Sequence, residues 1–142
     1  MRYITLDTGK KGAMVLFEDG KPVQALPFEA MGRGVNVYKI DISLMDWQPE
    51  IAYIELITPR PGQSAKSTFT QGYVCGQGEP IAQLAAIPVI EYIPPQRWTN
   101  FTKRLSPRPE QTSKQIAQEL TAKFYSDFAA PYRSKRGHKL YH

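Results

Sequence analysis

Two carboxylates stand out because of where they fall. The segment "RYITLD" puts Asp7 at the end of an apolar run, ahead of a small-residue turn at Thr8, Gly9 and Gly12. The segment "IAYIELIT" puts Glu55 inside the most strand-like stretch of the chain, where a charge is costly unless it is paired or bound to a metal. If the two strands are neighbours, ~4.8 Å apart, the acids approach one another and repel unless a cation lies between them. Mg²⁺ suits such a place: it takes oxygen ligands, keeps several waters, and commonly sits on one or two carboxylates plus the phosphates of a substrate. Two such ions, ~3.5–4 Å apart, support in-line attack of water on a phosphodiester. Each acid also has a plainer reading, Asp7 as a turn former and Glu55 as a side chain on a solvated face.

Cations are distributed so as to serve a phosphate-bearing partner. Up to Gln96 the chain carries 8 Lys/Arg against 10 Asp/Glu, and from Arg97 onward 10 against 3, so a net charge of −2 is followed by one of +7. That asymmetry points to a polyanion, with a merely basic solvated surface as the plain alternative. Lys66 is expected in the loop after Glu55, near where a phosphate would enter. Arg97, Lys103 and Arg104 follow the last strand, and Lys114 opens the last helix. Contacts from these residues would position DNA without reading its sequence and would weaken steeply with salt. Tyr73 and Trp98 are large enough to stack on an unpaired base, although aromatics beside apolar strands more often belong to the core.

The elements that must position these residues follow from hydrophobic patterning. Tyr3–Asp7, Ala13–Phe17 and Val23–Phe28 read as three strands, the last two joined by an Asp-Gly turn, a strong hairpin signal. Pro22 and Pro27 place the third strand at a sheet edge. "MGRG" reads as a loop, and Asp41 as the cap of a short helix through Trp47. Ile51–Thr58 is a fourth strand and "PRPGQSAKS" a loop. Thr68–Leu84 is expected as a helix interrupted at Gly76, Gly78 and Pro80, "PVIEYIPP" as a fifth strand, and Gln111–Phe128 as a helix with Ile116, Leu120 and Phe124 at four-residue spacing. Three hairpin-linked strands followed by alternating helices and strands make an α/β mixed sheet. A right-handed crossover lays the Glu55 strand parallel to one strand of the first hairpin.

With 142 residues, 42% of them hydrophobic, the chain suits one ordinary domain with a packed core. No apolar run approaches the ~18 residues needed to cross a bilayer, and the N-terminus lacks the pattern of a secretory signal, so no membrane partner is expected and a cytoplasmic location is. The single cysteine, Cys75, rules out an internal disulfide framework and a cysteine-rich zinc site, and reads as buried and inert.

"ITLDTGKKGAMVLF", "IAYIELITPRPGQSAKSTFTQGYVCG" and "VIEYIPPQRWTNFT" together resemble the RuvC-type Holliday-junction resolvases, particularly the phage and small bacterial crossover junction endodeoxyribonucleases of the ribonuclease H-like superfamily. The resemblance runs from the first strand to about Phe128. An ordered set carries it: an acid on strand one, an acid on strand four, a GxxxG-like helix at Gly72 and Gly76, and a Pro-Gln-Arg-Trp segment after strand five. It implies one ribonuclease H-like nuclease domain over residues 1–142, with a mixed five-stranded sheet in the order 3-2-1-4-5, strand 2 antiparallel, flanked by helices. It also implies Asp7 and Glu55 as ligands of Mg²⁺, with Mn²⁺ as a substitute, in a homodimer that cuts branched DNA symmetrically. Such enzymes complete their site with one or two further acids on a last helix. No acid follows Asp127 here, so the last acidic helix is expected to be lacking, with His138 and His142 as remaining ligand candidates. Two other readings stay open. One is a degenerate, non-enzymatic module that binds branched DNA. The other is an actin- or sugar-kinase-like nucleotide binder built on "LDTGKKG", which would need a second lobe.

Overall fold

Strand β1 (Arg2–Leu6) and strand β2 (Ala13–Glu18) pair antiparallel, and β3 (Lys21–Pro27) follows through a two-residue turn. Asp19 and Gly20 occupy that turn with φ of 49° and 79°, the left-handed pair that matches the twist of a tight hairpin. The structure, a computed structural model, describes residues 1–9, 11–59, 61–105 and 110–129, with the side chains of Ser113, Lys114 and Ala129 outside that description. A small hairpin, β4 (Ala30–Met31) and β5 (Gly34–Val35), replaces the loop expected at "MGRG". Helix α1 (Val37–Trp47) begins four residues ahead of the expected Asp41 cap, because the Asn36 side chain accepts from Lys39 N at 3.3 Å. Then come β6 (Ile51–Glu55), helix α2 (Ala65–Leu84) and β7 (Val89–Ile93).

The main sheet has the order β3-β2-β1-β6-β7, with β1, β6 and β7 parallel and β2 antiparallel to both neighbours. With the short hairpin set apart, this is the expected 3-2-1-4-5 arrangement. Its inner face carries Ile4, Leu6, Met14, Leu16, Ala52 and Ile54, which form one core with Ile40, Leu44 and Trp47 of α1 and Val74, Ile81 and Ala82 of α2. The other face carries an aromatic row: Tyr3 stacks on Phe17 at 4.9 Å and meets Tyr53 edge-on at 5.6 Å.

Helix α2 is continuous over 20 residues rather than interrupted. Ser64 caps it, accepting from Ser67 N at 3.2 Å, so "SAKS" belongs to the helix and not to the preceding loop. Gly72 and Gly76 have open space where a side chain would sit, and Pro80 withholds one hydrogen bond from the ladder without ending it.

A second compact unit begins at Pro94. It opens with helix α3 (Pro95–Leu105), which the sequence reading did not anticipate, continues with α4 (Ser113–Phe124) and ends its described part with the four-residue α5 (Ser126–Ala129). The helix expected over Gln111–Phe128 is therefore two, separated at Tyr125, where φ is −135°. No helix among the described residues is long and apolar enough to cross a membrane.

Candidate active site at two strand tips

Burial alternates along the first strand and beyond it: Ile4, Leu6 and Thr8 are buried while Tyr3, Thr5 and Asp7 are half-buried. The same alternation runs along β6, with Ala52 and Ile54 buried and Tyr53 and Glu55 half-buried. The two strands are parallel and in register through Leu6↔Ile54. Asp7 and Glu55 each lie one step past that pair, at the carboxyl ends of adjacent strands and on the same face of the sheet. Register and parity thus make the two tips neighbours, the condition the sequence reading set for the acids to act together.

The turn after β1 fixes Asp7. Its Oδ1 accepts from Gly9 N at 3.0 Å, and its backbone N–H donates to Ala13 O at 3.0 Å, extending the ladder one step beyond the strand. Gly12 must be glycine: an added Cβ would lie 2.0 Å from the Asp7 carbonyl oxygen. Thr8 is the pin under the site. Only 3% exposed, its hydroxyl lies 3.4 Å from the Glu55 carbonyl oxygen and 3.3 Å from Cys75 Sγ. Cys75 is thus half-buried and a hydrogen-bond acceptor, not the inert core residue expected. Gly78 of α2 leaves room for the pin, since a Cβ there would meet Thr8 Cγ2 at 3.0 Å.

A groove of about 490 Å³ opens beside the tips, lined by Thr8 and Gly9 on one side and by Ser64, Lys66, Ser67 and Thr70 of the start of α2 on the other. Lys66 is therefore on the first turn of a helix, exposed, rather than in a loop. A second recess, of about 370 Å³, shares Lys66 and Thr70 and is completed by Phe69, Tyr73, Gly32 and Arg33. Phe69 and Tyr73 are 63% and 46% exposed, so Tyr73 is not the core aromatic that its apolar context suggested. Arg33 escaped the sequence reading. Its signal was the Gly-Arg-Gly sequence, which fits a two-residue hairpin turn whose first position, Gly32, has φ of 59°.

Arg97, Lys103 and Arg104 lie on α3 of the second unit, all exposed, while Trp98 beside them is half-buried. The Lys114 side chain, His138 and His142 lie outside the described residues. Among the described residues no three of His, Cys, Asp and Glu come together as a metal-binding group. The donor set at the tips is two carboxylates, hard oxygen ligands of the kind Mg²⁺ takes when a substrate supplies the rest.

No family model matches the chain, and no curated protein does. Among solved structures, RuvC from Thermus thermophilus in complex with a Holliday junction substrate matches with a TM-score of 0.51 and 15% identity, over 90% of this chain and 96% of that one. The fold is RuvC-like. A second Thermus thermophilus RuvC structure matches with a TM-score of 0.46 and 17% identity over the same shares of the two chains. The RuvC-like sheet has its parallel centre at β1 and β6, and it is at the carboxyl ends of these two strands that Asp7 and Glu55 stand.

Proposed function

We propose that the chain is a structure-selective DNA endonuclease that resolves four-way or otherwise branched DNA by metal-dependent phosphodiester hydrolysis. The observation that carries the reading is the in-register placement of Asp7 and Glu55 at adjacent strand tips of a RuvC-like fold, beside a groove that holds Lys66. Asp7 and Glu55 would hold Mg²⁺, or Mn²⁺ in its place. Bound there, the metal would supply a polarised water and neutralise charge on the phosphate, as two-metal nucleases do. Asp7 has one oxygen committed to the turn through Gly9 N, which fixes how the carboxylate is presented. Lys66 would hold a phosphate oxygen in the groove, with Arg97, Lys103, Arg104 and Lys114 as further backbone contacts on the second unit. On the fold likeness alone we extend the proposal to a homodimer making paired cuts, in the cytoplasm of a bacterial or phage-infected cell.

The test is cleavage of a synthetic four-way junction with Mg²⁺ by the parent, Asp7→Asn and Glu55→Gln. Asn keeps the acceptor that Gly9 needs, so the substitution removes charge without dismantling the turn. Each variant should lose at least ~100-fold in rate, the scale at which metal-site supports begin to matter. Variants that cut as fast as the parent would end the assignment. That no third acid joins Asp7 and Glu55 among the described residues favours a second reading, a branched-DNA-binding module that does not cut. Salt-sensitive junction binding with no nicking in Mg²⁺ or Mn²⁺ would select it.

A further inference from the structure

The groove at the strand tips and the recess beyond it adjoin along the start of α2, since Lys66 and Thr70 line both, and the pair is termed the trough. One end of the trough lies at Thr8 and Gly9 of the turn after β1, where the Gly9 N–H holds Asp7 Oδ1 at 3.0 Å. The other is the tip of the β4–β5 hairpin, represented by Gly32 and Arg33. Between them runs the first half of α2.

Three features single out Arg33. It is exposed, and neither it nor Lys66 has an acidic partner among the described residues, whereas Arg2 and Lys39 pair with Glu18 and Glu29. Among the described residues that line the trough there is neither Asp nor Glu. The unit that contains it, residues 1–93, carries 8 Lys/Arg against 10 Asp/Glu, so two uncompensated cations in one trough are not the spill-over of a basic surface. Finally, the hairpin is held in place. Val35 N donates to Gln77 Oε1 at 3.3 Å, Gly34 is pressed so close to Gln77 that a Cβ would lie 2.4 Å from Oε1, and Asn36 N donates to Glu29 O at 2.8 Å. Arg33 is thus a guanidinium on a two-residue turn braced against the helix that carries Lys66.

We propose that Arg33 is a second phosphate contact for the DNA strand whose reacting linkage lies at Asp7 and Glu55, so that this strand runs from the tips past Lys66 toward the β4–β5 hairpin. The inference rests on the nuclease reading and adds to it the direction in which the strand leaves. Guanidinium and ammonium groups bracket the path, and Phe69 and Tyr73 give it an apolar side against which sugars and bases pack. The stretch from Lys66 to Tyr73 covers two helical turns, ~10 Å, the axial rise of about three nucleotides.

Equilibrium binding of the full chain to a four-way junction, in chelator so that nothing is cut, tests this over 50 to 200 mM salt. Arg33→Ala should reduce the slope of log K against log salt by about 0.9, so that the parent's advantage shrinks about 3.5-fold across that range. Arg33→Lys should keep most of the slope, and Lys21→Ala, on the far side of the β2–β3 turn, should keep all of it. Neutral methylphosphonates placed one linkage at a time should include one that weakens the parent but not Arg33→Ala, about three nucleotides or fewer from the one to which Lys66→Ala is blind. An Arg33→Ala chain with the parent's slope and every methylphosphonate penalty intact overturns the contact, as does an equal loss of slope in Lys21→Ala. If such a chain still cuts junctions with Mg²⁺, the nuclease reading survives. A parent without salt-sensitive junction binding overturns both.

Discussion

Replacing Gly12 with alanine tests whether the turn that presents Asp7 is as tight as its geometry says. The new Cβ would lie 2.0 Å from the Asp7 carbonyl oxygen, 2.9 Å from its carbonyl carbon and 2.8 Å from the Gly9 oxygen. Ordinary contact begins near 3.4 Å, so backbone must retreat by about 1.4 Å, and no flexible side chain is there to give way. Three backbone hydrogen bonds meet at this point: Gly12 N to Gly9 O at 2.8 Å, Asp7 N to Ala13 O at 3.0 Å and Phe28 N to Gly12 O at 2.9 Å. A retreat of that size breaks about two of them, at ~1–3 kcal/mol for each buried group left unpaired, giving a loss of ~3–4 kcal/mol. For a chain of this length that is a drop of ~12 °C or more in Tm. Gly76→Ala is the matched control: nothing lies within 4 Å of its Cβ, it sits in a helix interior, and it should stabilise by ~0.5–1 kcal/mol. Urea and thermal unfolding followed by circular dichroism should separate the two variants by ~4 kcal/mol. A Gly12→Ala chain within ~1 kcal/mol of the parent refutes the tight turn and, with it, the account of how Asp7 is held.

Two further outcomes follow from single side chains. Thr8→Val keeps the shape of a buried residue and removes a hydroxyl that bonds either the Glu55 carbonyl or Cys75 Sγ, so it should cost ~1 kcal/mol, while Thr8→Ala, which also leaves a gap, should cost more; chemical denaturation reads both. Tyr92 donates to Glu79, and that hydrogen bond, followed by burial, pushes its pKa up to about 12. Because the folded value lies above the unfolded one, near 10, the contact supports folding below pH ~10 and is lost as pH rises from there through 12. Ultraviolet titration should show Tyr92 ionising at about 12 and returning toward 10 in Glu79→Gln; no movement in that variant would contradict the cause assigned here.

What could be read before the structure was known had local, strong signals. Asp19-Gly20 dictates the β2–β3 turn by itself, and Pro22 with Pro27 confines β3 to an edge. Alternation in "YITL" and "AYIE" reveals which residues share a face, and a right-handed crossover leaves open which strand of the first hairpin is the neighbour; the β1–β6 pairing that puts Asp7 beside Glu55 is supplied by the structure. The misses have equally specific reasons. In α3 the apolar residues Phe101 and Leu105 are exposed and the buried one is Thr102, so the periodicity of hydrophobic residues is silent there, and Pro94-Pro95 reads as a stop when Pro95 is in fact the first helical residue. The start of α2 hides behind Pro59, Pro61 and Gly62, whose turn signals outweigh one serine cap. β4 and β5 are two residues each, below the length at which any period can be seen, so the sequence does not single out Arg33 between them. Among the described residues no third His, Cys, Asp or Glu joins Asp7 and Glu55 in a metal-binding group.

Parity explains why this site tolerates a charged pair on a sheet with so dry a core. Along β1 and its continuation the even positions, Ile4, Leu6 and Thr8, are spent on packing and the odd ones, Tyr3, Thr5 and Asp7, are left for the other face. Along β6 the same division sets Ala52 and Ile54 against Tyr53 and Glu55. The buried hydroxyl of Thr8, on the inward side of the tips, is answered there by a carbonyl and a thiol. A slip of one residue between β1 and β6 would turn Glu55 toward the core and Ile54 away from it, at the cost of burying a carboxylate without a partner. The hydrophobic core therefore does more than stabilise the sheet: by forbidding that slip it holds the two carboxylates level, and any chemistry at the tips depends on packing several residues away from them.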